Sequence, residues 1–305
     1  MSDYHRPVML NESVSALVAN PEGIYADATF GGGGHTAEIL SRLHDGGRVI
    51  AFDRDIDAFE NKPDDKRLTL IHNNFRFIDN YRLLLGIDGF DGILADLGVS
   101  SHQFDTAGRG FSFRYDAPLD MRMNREARST AADIVNGSSE EDLERILRLY
   151  GEVEGAGKMA RMIVSAREKK EIRTTGDLHE AISRMLPKVA EHKVLAKVFQ
   201  ALRIEVNDEM RSLEKFLDGT VQALIPGGRL VVITYHSLED RMVKNFIRTG
   251  NVEGMEDKDI YGNVSAPLRA VNRKPVLPQE SEIASNTRAR SAKLRVAEKT
   301  VEEGR

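Results

Sequence analysis

The chain has 305 residues, 41% hydrophobic and 30% charged, a composition suited to one large globular domain with an insertion or to two domains. It contains no apolar run of about eighteen residues and no signal-peptide pattern at its start, so a transmembrane helix is excluded and the cytoplasm is the expected compartment. A net charge of −5 argues against indiscriminate polyanion binding.

In chain order, Asn11 reads as the cap of a first helix. Ile24 to Phe30 is a short apolar run, Gly31 to Gly34 a glycine turn, Ala37 to Leu43 helix-compatible, and Arg48 to Asp53 a second apolar run closed by an acid. This strand-loop-helix-strand unit is the first half of a nucleotide-binding α/β fold. Glycines let the backbone approach a ligand where a Cβ would clash, and the amides that open the next helix face it. An acid at the end of the second strand accepts hydrogen bonds from two ribose hydroxyls.

Two ligands compete for this unit. Gly32, Gly34 and Ala37 satisfy the dinucleotide pattern G-x-G-x-x-A, which keeps a nicotinamide or flavin cofactor in play. S-adenosylmethionine also offers a ribose to Asp53, but carries a sulfonium and no pyrophosphate. Asp27, ending the first strand, favours it, because a carboxylate suits a cation and repels a pyrophosphate. The absence of cysteine then removes the usual route to carbon-5 methylation of a pyrimidine and any cysteine-held iron-sulfur cluster. A methyl transferase built from this chain needs a substrate that is already a nucleophile, such as a nitrogen or an oxygen.

Leu68 to His72 is a third strand, and Phe75 just beyond it is placed to stack on an adenine or to pack in the core. Gly89 to Val99 is a fourth strand; Asp96 is the first candidate for a residue near the chemistry, and Ser100 to Gln103 follow as a polar loop. From Thr106 the pattern changes to a loop rich in glycine, arginine and aromatics, then to helical segments from Ser139 to Tyr150, Ala156 to Lys170 and Asp177 to Leu186. Residues 106–195 read as an all-helical insertion suited to selecting a substrate, leaving 1–105 and 196–305 as the cofactor-binding domain. The sheet resumes after a helix from Val206 to Leu224, with the buried strand Arg229 to Tyr235, a helix capped by Ser237, a loop-rich stretch over 250–285 and a last strand over Lys293 to Ala297. Basic residues cluster at Arg288, Arg290, Lys293, Arg295 and Lys299, and again between Lys158 and Arg173. No His/Asp cluster has metal-site spacing, so no metal is expected.

Several motifs together exceed a generic methyltransferase. They are His5 to Glu12, Thr29 to Thr36, Asp53-Arg54-Asp55, Asp96 to Ser101, Arg109 to Phe113, Pro118 to Met123, Phe199 to Ile204, Tyr235 to Arg241 and Arg288 to Arg295. They span nearly the whole chain, and the sequence closely resembles the bacterial RsmH family, also called MraW. The resemblance implies a Rossmann-like class I S-adenosylmethionine-dependent methyltransferase that methylates N4 of a cytidine in the decoding centre of 16S ribosomal RNA. It implies cofactor contacts at Gly33, Gly34, His35, Asp53, Phe75, Asp96 and Gln103. Two departures from the family pattern, Val153-Glu154 after Glu152 and the run His192 to Lys197 before Phe199, lie in or beside the insertion.

The expected mechanism is in-line attack of N4 on the sulfonium methyl. Asp96 is the candidate hydrogen acceptor or base, with Asp120 and His236 in reserve. Arg109, Phe111 and Arg122 are the candidate RNA contacts, with Phe113 weighed toward anchoring the insertion. On this reading Arg122→Ala weakens RNA binding and spares the cofactor. The alternatives are a non-catalytic S-adenosylmethionine-binding ribosome-assembly factor and an NAD-dependent oxidoreductase, the second disfavoured because no second glycine turn follows residue 100. The expected partner is 16S ribosomal RNA within the small subunit, with no membrane partner and the oligomeric state open between monomer and homodimer.

Overall fold

The structure, a computed structural model, describes residues 7–258, 262 and 266–301. His5 and Arg6 of the first motif lie outside them. The chain forms two compact units, one of residues 1–98 and 210–305, the other Val99–Glu209. The division falls at 99 and 209 rather than at 106 and 195. The polar stretch after Ser100 folds into a helix of the second unit, and a single helix, Glu191–Asn207, runs through position 195.

The first unit is built on seven strands: β1 Ile24–Asp27, β2 Arg48–Asp53, β3 Leu68–His72, β4 Phe90–Asp96, β5 Leu224–Thr234, β6 Leu268–Ala270 and β7 Lys293–Lys299. Their order is β3-β2-β1-β4-β5-β7-β6; β1 to β5 are parallel and β7 runs antiparallel between β5 and β6. This is the class I methyltransferase arrangement. A doubly wound dinucleotide fold has no such inserted antiparallel strand.

Strand alternation builds two apolar layers. Ala26, Ile93 and Val232 face Phe216, Leu217 and Phe246 on the helices Glu209–Ala223 and Ser237–Thr249. Tyr25, Leu94 and Val231 face Val14, Leu17, Ile39 and Leu40 on the helices Leu10–Leu17 and Gly34–Arg42. Burial on both faces explains why the central strands read as continuous apolar runs. Because β1 and β4 are neighbours and the connections diverge from them, a ligand crevice is expected at their C-terminal ends.

Three local readings change. Asn11 lies inside the first helix, which is capped by Met9 in a left-handed conformation (φ 51°) whose amide donates to Glu282 Oε1 at 2.6 Å. The helix after β5 is capped by His236, not Ser237: its side chain accepts from the Glu239 amide, and Glu239 accepts from the His236 amide in return. The Pro226-Gly227-Gly228 stretch lies within β5, bulged between the pairings Phe90↔Leu224 and Gly92↔Arg229.

The second unit packs the helices Ser101–Asp105, Ala131–Gly137, Glu140–Gly151, Ala156–Arg167, Thr175–Ile182 and Glu191–Asn207 around one apolar cluster. Gly151 sits where two of them meet, because a Cβ there would lie 2.7 Å from the Lys197 carbonyl oxygen. No helix among the described residues is long and apolar enough to cross a membrane.

Candidate active site

Three acids end three adjacent strands of the first unit: Asp27 on β1, Asp53 on β2 and Asp96 on β4. At an inter-strand spacing of ~4.8 Å, all three fall within a width of about 10 Å. Asp27 is fully buried and pinned, its oxygens accepting from the Thr29 amide at 3.0 Å and Thr36 Oγ1 at 2.7 Å. Burial raises its carboxyl above the usual range. Asp53 accepts from the Gly31 amide through one oxygen and the Asp55 amide through the other, each at 2.8 Å. Each oxygen keeps a second lone pair for a two-hydroxyl ligand. Burial pushes Asp53 up to about 6 despite those donors.

Asp96 is likewise pushed by burial to about 6, against the pull of the Tyr235 hydroxyl, which donates to Oδ1 at 2.7 Å. Its own amide donates to Thr29 Oγ1 at 2.7 Å, tying the end of β4 to that of β1. His35 is buried and its pKa is lowered by that burial. Its Nε2 lies 3.2 Å from the Val8 carbonyl, so that nitrogen carries the proton and Nδ1 is left as an acceptor, 3.8 Å from Asp96 Oδ2. Two acceptors facing each other favour a positive or proton-bearing group beside them. His236 caps its own helix through Nδ1, which accepts from the Glu239 amide; its Nε2 is buried 3.0 Å from Glu239 Oε1 without a hydrogen bond.

The glycine loop is shaped for close approach. Gly31 and Gly33 have φ of 52° and 77°, and a Cβ on Gly33 would stand 2.9 Å from Phe30 Cζ. A Cβ on Gly34 would strike Pro7 Cγ, so the segment before the first helix lies directly on the loop. Phe75 rests edge-on against Phe216, with ring centroids 5.0 Å apart, and remains half-exposed.

The second unit corrects most of the candidates placed there. Arg109 is buried, and its guanidinium donates to the Arg122 and Met123 carbonyls. Phe111 is buried in the helical core, and Phe113 packs edge-on against Phe199. Asp120 takes both oxygens to Arg122; burial pushes its carboxyl up, but the Arg122 hydrogen bonds outweigh that and hold it below the usual value. Arg122 also donates to the Arg125 and Ala127 carbonyls, so its whole guanidinium fork is committed. These residues knit the loop, and the sequence signal of an Arg- and Phe-rich stretch is one of architecture. Gln103 is buried and closes a capping box with Ser100.

The sequence matches the MraW methylase family over residues 2–300. The chain belongs to that family. Its methyl donor is S-adenosylmethionine. It is 56% identical over 299 residues to ribosomal RNA small subunit methyltransferase H of Parabacteroides distasonis, covering 98% of each chain. It is 56% identical over 296 residues to the protein of that name in Bacteroides fragilis, covering 97% of each. Among solved structures it is similar to an rRNA methylase of Streptococcus thermophilus, at 13% identity and a TM-score of 0.43, covering 96% of this chain and 94% of that one.

The strand-end acids and His35 in the first unit fit this cofactor. Asp53 suits ribose hydroxyls, the facing acceptors of His35 and Asp96 suit a cation, and the raised carboxyls of Asp53 and Asp96 are relieved by positive charge. Glu152 and Lys197 meet in the second unit, next to Val153. Val153 is buried in its core, and Lys197 Nζ donates to the Glu152 carbonyl at 2.9 Å, where the helix Glu140–Gly151 ends in a left-handed residue. A cation on a helix C-terminus is favourable, and Lys197 supplies it here.

Proposed function

We propose that the chain transfers the methyl of S-adenosylmethionine to N4 of a cytidine in the decoding centre of the small-subunit 16S ribosomal RNA, acting in the cytoplasm. The names of relatives at 56% identity support the small-subunit RNA as substrate. The observation that carries the reaction is Asp96, a carboxylate at the end of β4 held by Tyr235 and joined through its amide to the glycine-loop side of β1.

Bound in this site, the cofactor supplies an electrophilic methyl on a sulfonium. Gly33, Gly34 and His35 would line the approach, Asp53 would take the ribose hydroxyls, and Phe75, with the Arg54 guanidinium 5.7 Å from its ring centroid, would pack beside the adenine. Gln103 opens the chain that follows β4. The N4 lone pair is delocalised into the cytosine ring and is a poor nucleophile. Asp96 accepts an N4 hydrogen, which raises the electron density on nitrogen, and takes the proton; such help is worth about 10²- to 10⁴-fold. Alignment of the nucleophile at about 3 to 3.5 Å supplies the larger share. The base reaches this site unstacked, as a loop nucleotide can be.

Asp96→Asn keeps an oxygen for Tyr235 but removes the base. It is expected to lower transfer to small ribosomal subunits by about 10²-fold or more, with S-adenosylmethionine affinity, measured by calorimetry, much less affected. Parallel loss of both would remove Asp96 from the proton-accepting role.

A further inference from the structure

The outer margin of the sheet carries cations that the site above does not use. After β6 the chain returns to β7 through the isolated bridge Val276↔Leu294. Between Ala270↔Ala297 and that bridge it advances six positions on the outer side against three on β7, so Arg273, Lys274 and Pro275 bulge from the sheet. Both legs of the bulge are fixed. The Val271 amide donates to the Val296 carbonyl at 2.9 Å, the Val296 amide to Asn272 Oδ1 at 3.0 Å, and the Val276 amide to the Leu294 carbonyl at 2.9 Å. Asn272 Nδ2 also donates to the Lys274 carbonyl at 2.8 Å. Arg273 and Lys274 are exposed, as is Arg290 on the turn Thr287–Ser291 that leads into β7.

The nearby acids are largely committed. Glu282 accepts from the Met9 amide, and Asp240 pairs with Lys293 and Arg295. Glu280 is exposed in the same segment. The registers Asp96↔Ile233, Ile233↔Leu294 and Leu294↔Val276 place the bridge in the same cross-sheet row as Asp96. Three inter-strand spacings of ~4.8 Å separate them, about 14 Å. A bulge with Lys and Pro also guards a sheet edge against pairing. Arg290, four positions before the bridged Leu294, comes from a different element and has no part in guarding the edge, so edge protection does not account for all three exposed cations, and their shared charge suits an anionic ligand.

We propose that Arg273, Lys274 and Arg290 form a phosphate-binding surface for the RNA strand flanking the target nucleotide, in the cofactor-binding unit rather than in the helical one. It rests on the reading of RNA as substrate. A row of cations a few nucleotides from the acid that meets the base holds the backbone in register without reading sequence.

The test is the triple variant Arg273→Ala/Lys274→Ala/Arg290→Ala, with Arg273→Lys/Arg290→Lys as the charge-keeping control. Binding to small ribosomal subunits and to a twelve-nucleotide single-stranded RNA is measured across salt concentrations. Removing one cation from a phosphate flattens the dependence of log affinity on log salt by ~0.7. The triple variant is expected to bind both ligands at least ~10-fold more weakly at low salt, with a slope shallower by about 2. The control should bind as the unmodified chain does, and S-adenosylmethionine affinity should stay unchanged in both. Unaltered affinity and slope in the triple variant would overturn the surface. If the triple variant does not fold, the exposed single change Lys274→Glu gives the same reading, weaker binding supporting the surface and unchanged binding overturning it. Failure of the unmodified chain to bind small subunits while it binds the oligonucleotide would instead strike the substrate reading, and the surface would be judged on the oligonucleotide.

Discussion

The Tyr235 hydroxyl donates to Asp96 Oδ1 at 2.7 Å, joining the residue that follows β5 to the acid that ends β4. That hydrogen bond opposes the effect of burial, which already lifts Asp96 to about 6. Tyr235→Phe removes the donor, so Asp96 protonates at higher pH. The acid limb of the methyl-transfer profile should then move above pH ~6, and a rise of about one unit would lower the rate at pH 7 about twofold. A purely structural role for the hydroxyl would lower the melting temperature and leave the profile in place.

The same burial has a stability consequence of opposite sign to an ordinary ion-paired aspartate. The folded state binds a proton at Asp96 up to about pH 6, whereas the unfolded chain releases it near 3.8. Between those values the folded state holds more protons, so stability falls as pH rises through the window. Without cofactor, Asp96→Asn should match the unmodified chain at pH ~4 and exceed it at neutral pH by up to about 3 kcal/mol, the upper limit set by the size of the shift. Denaturant titrations at both pH values check this, and equal stability at neutral pH would contradict it.

Gly33 and Gly227 separate conformational cost from ligand approach. Both have strongly positive φ, 77° and 78°, but a Cβ at Gly33 meets Phe30 at 2.9 Å, whereas nothing lies within 4 Å of one at Gly227. Alanine at either should cost about 1–2 kcal/mol of stability through the left-handed backbone alone. Only Gly33→Ala should also weaken S-adenosylmethionine binding, as calorimetry would show.

Arg109→Ala leaves the carbonyls of Arg122 and Met123 without their charged donor inside the second unit. The expected result is a destabilisation of about 2–4 kcal/mol, from the missing hydrogen bonds and the cavity together. A surface RNA contact would instead raise KM for small subunits with an unchanged melting curve.

Much of the first unit is legible in the sequence because its strands are buried on both faces and end in acids. Arg48–Asp53 and Leu68–His72 read to the residue. Asp53 and Asp96 stand out because a carboxylate closing an apolar run has few structural reasons to be there. The second unit is less legible. Arg109, Phe111 and Arg122 look like a nucleic-acid surface in sequence, since pattern alone does not show whether a guanidinium meets a phosphate or a nearby backbone carbonyl. The sequence favours Ser237 over His236 as a cap because serine is the commoner capping residue, and the deciding contact is the reciprocal bond with Glu239. Tyr235 reads only as the end of a buried strand, and it is the adjacency of β4 and β5 that brings its hydroxyl to Asp96. The row from Asp96 to Val276 depends on three strand registers, none of which is written in any one segment.

The most direct measurement is transfer of labelled methyl from S-adenosylmethionine to small ribosomal subunits from cells lacking this activity, followed by digestion and nucleoside analysis. The account predicts label in N4-methylcytidine, abolished by Asp53→Ala. Label in a different nucleoside, or tight cofactor binding with no label in RNA, would contradict it.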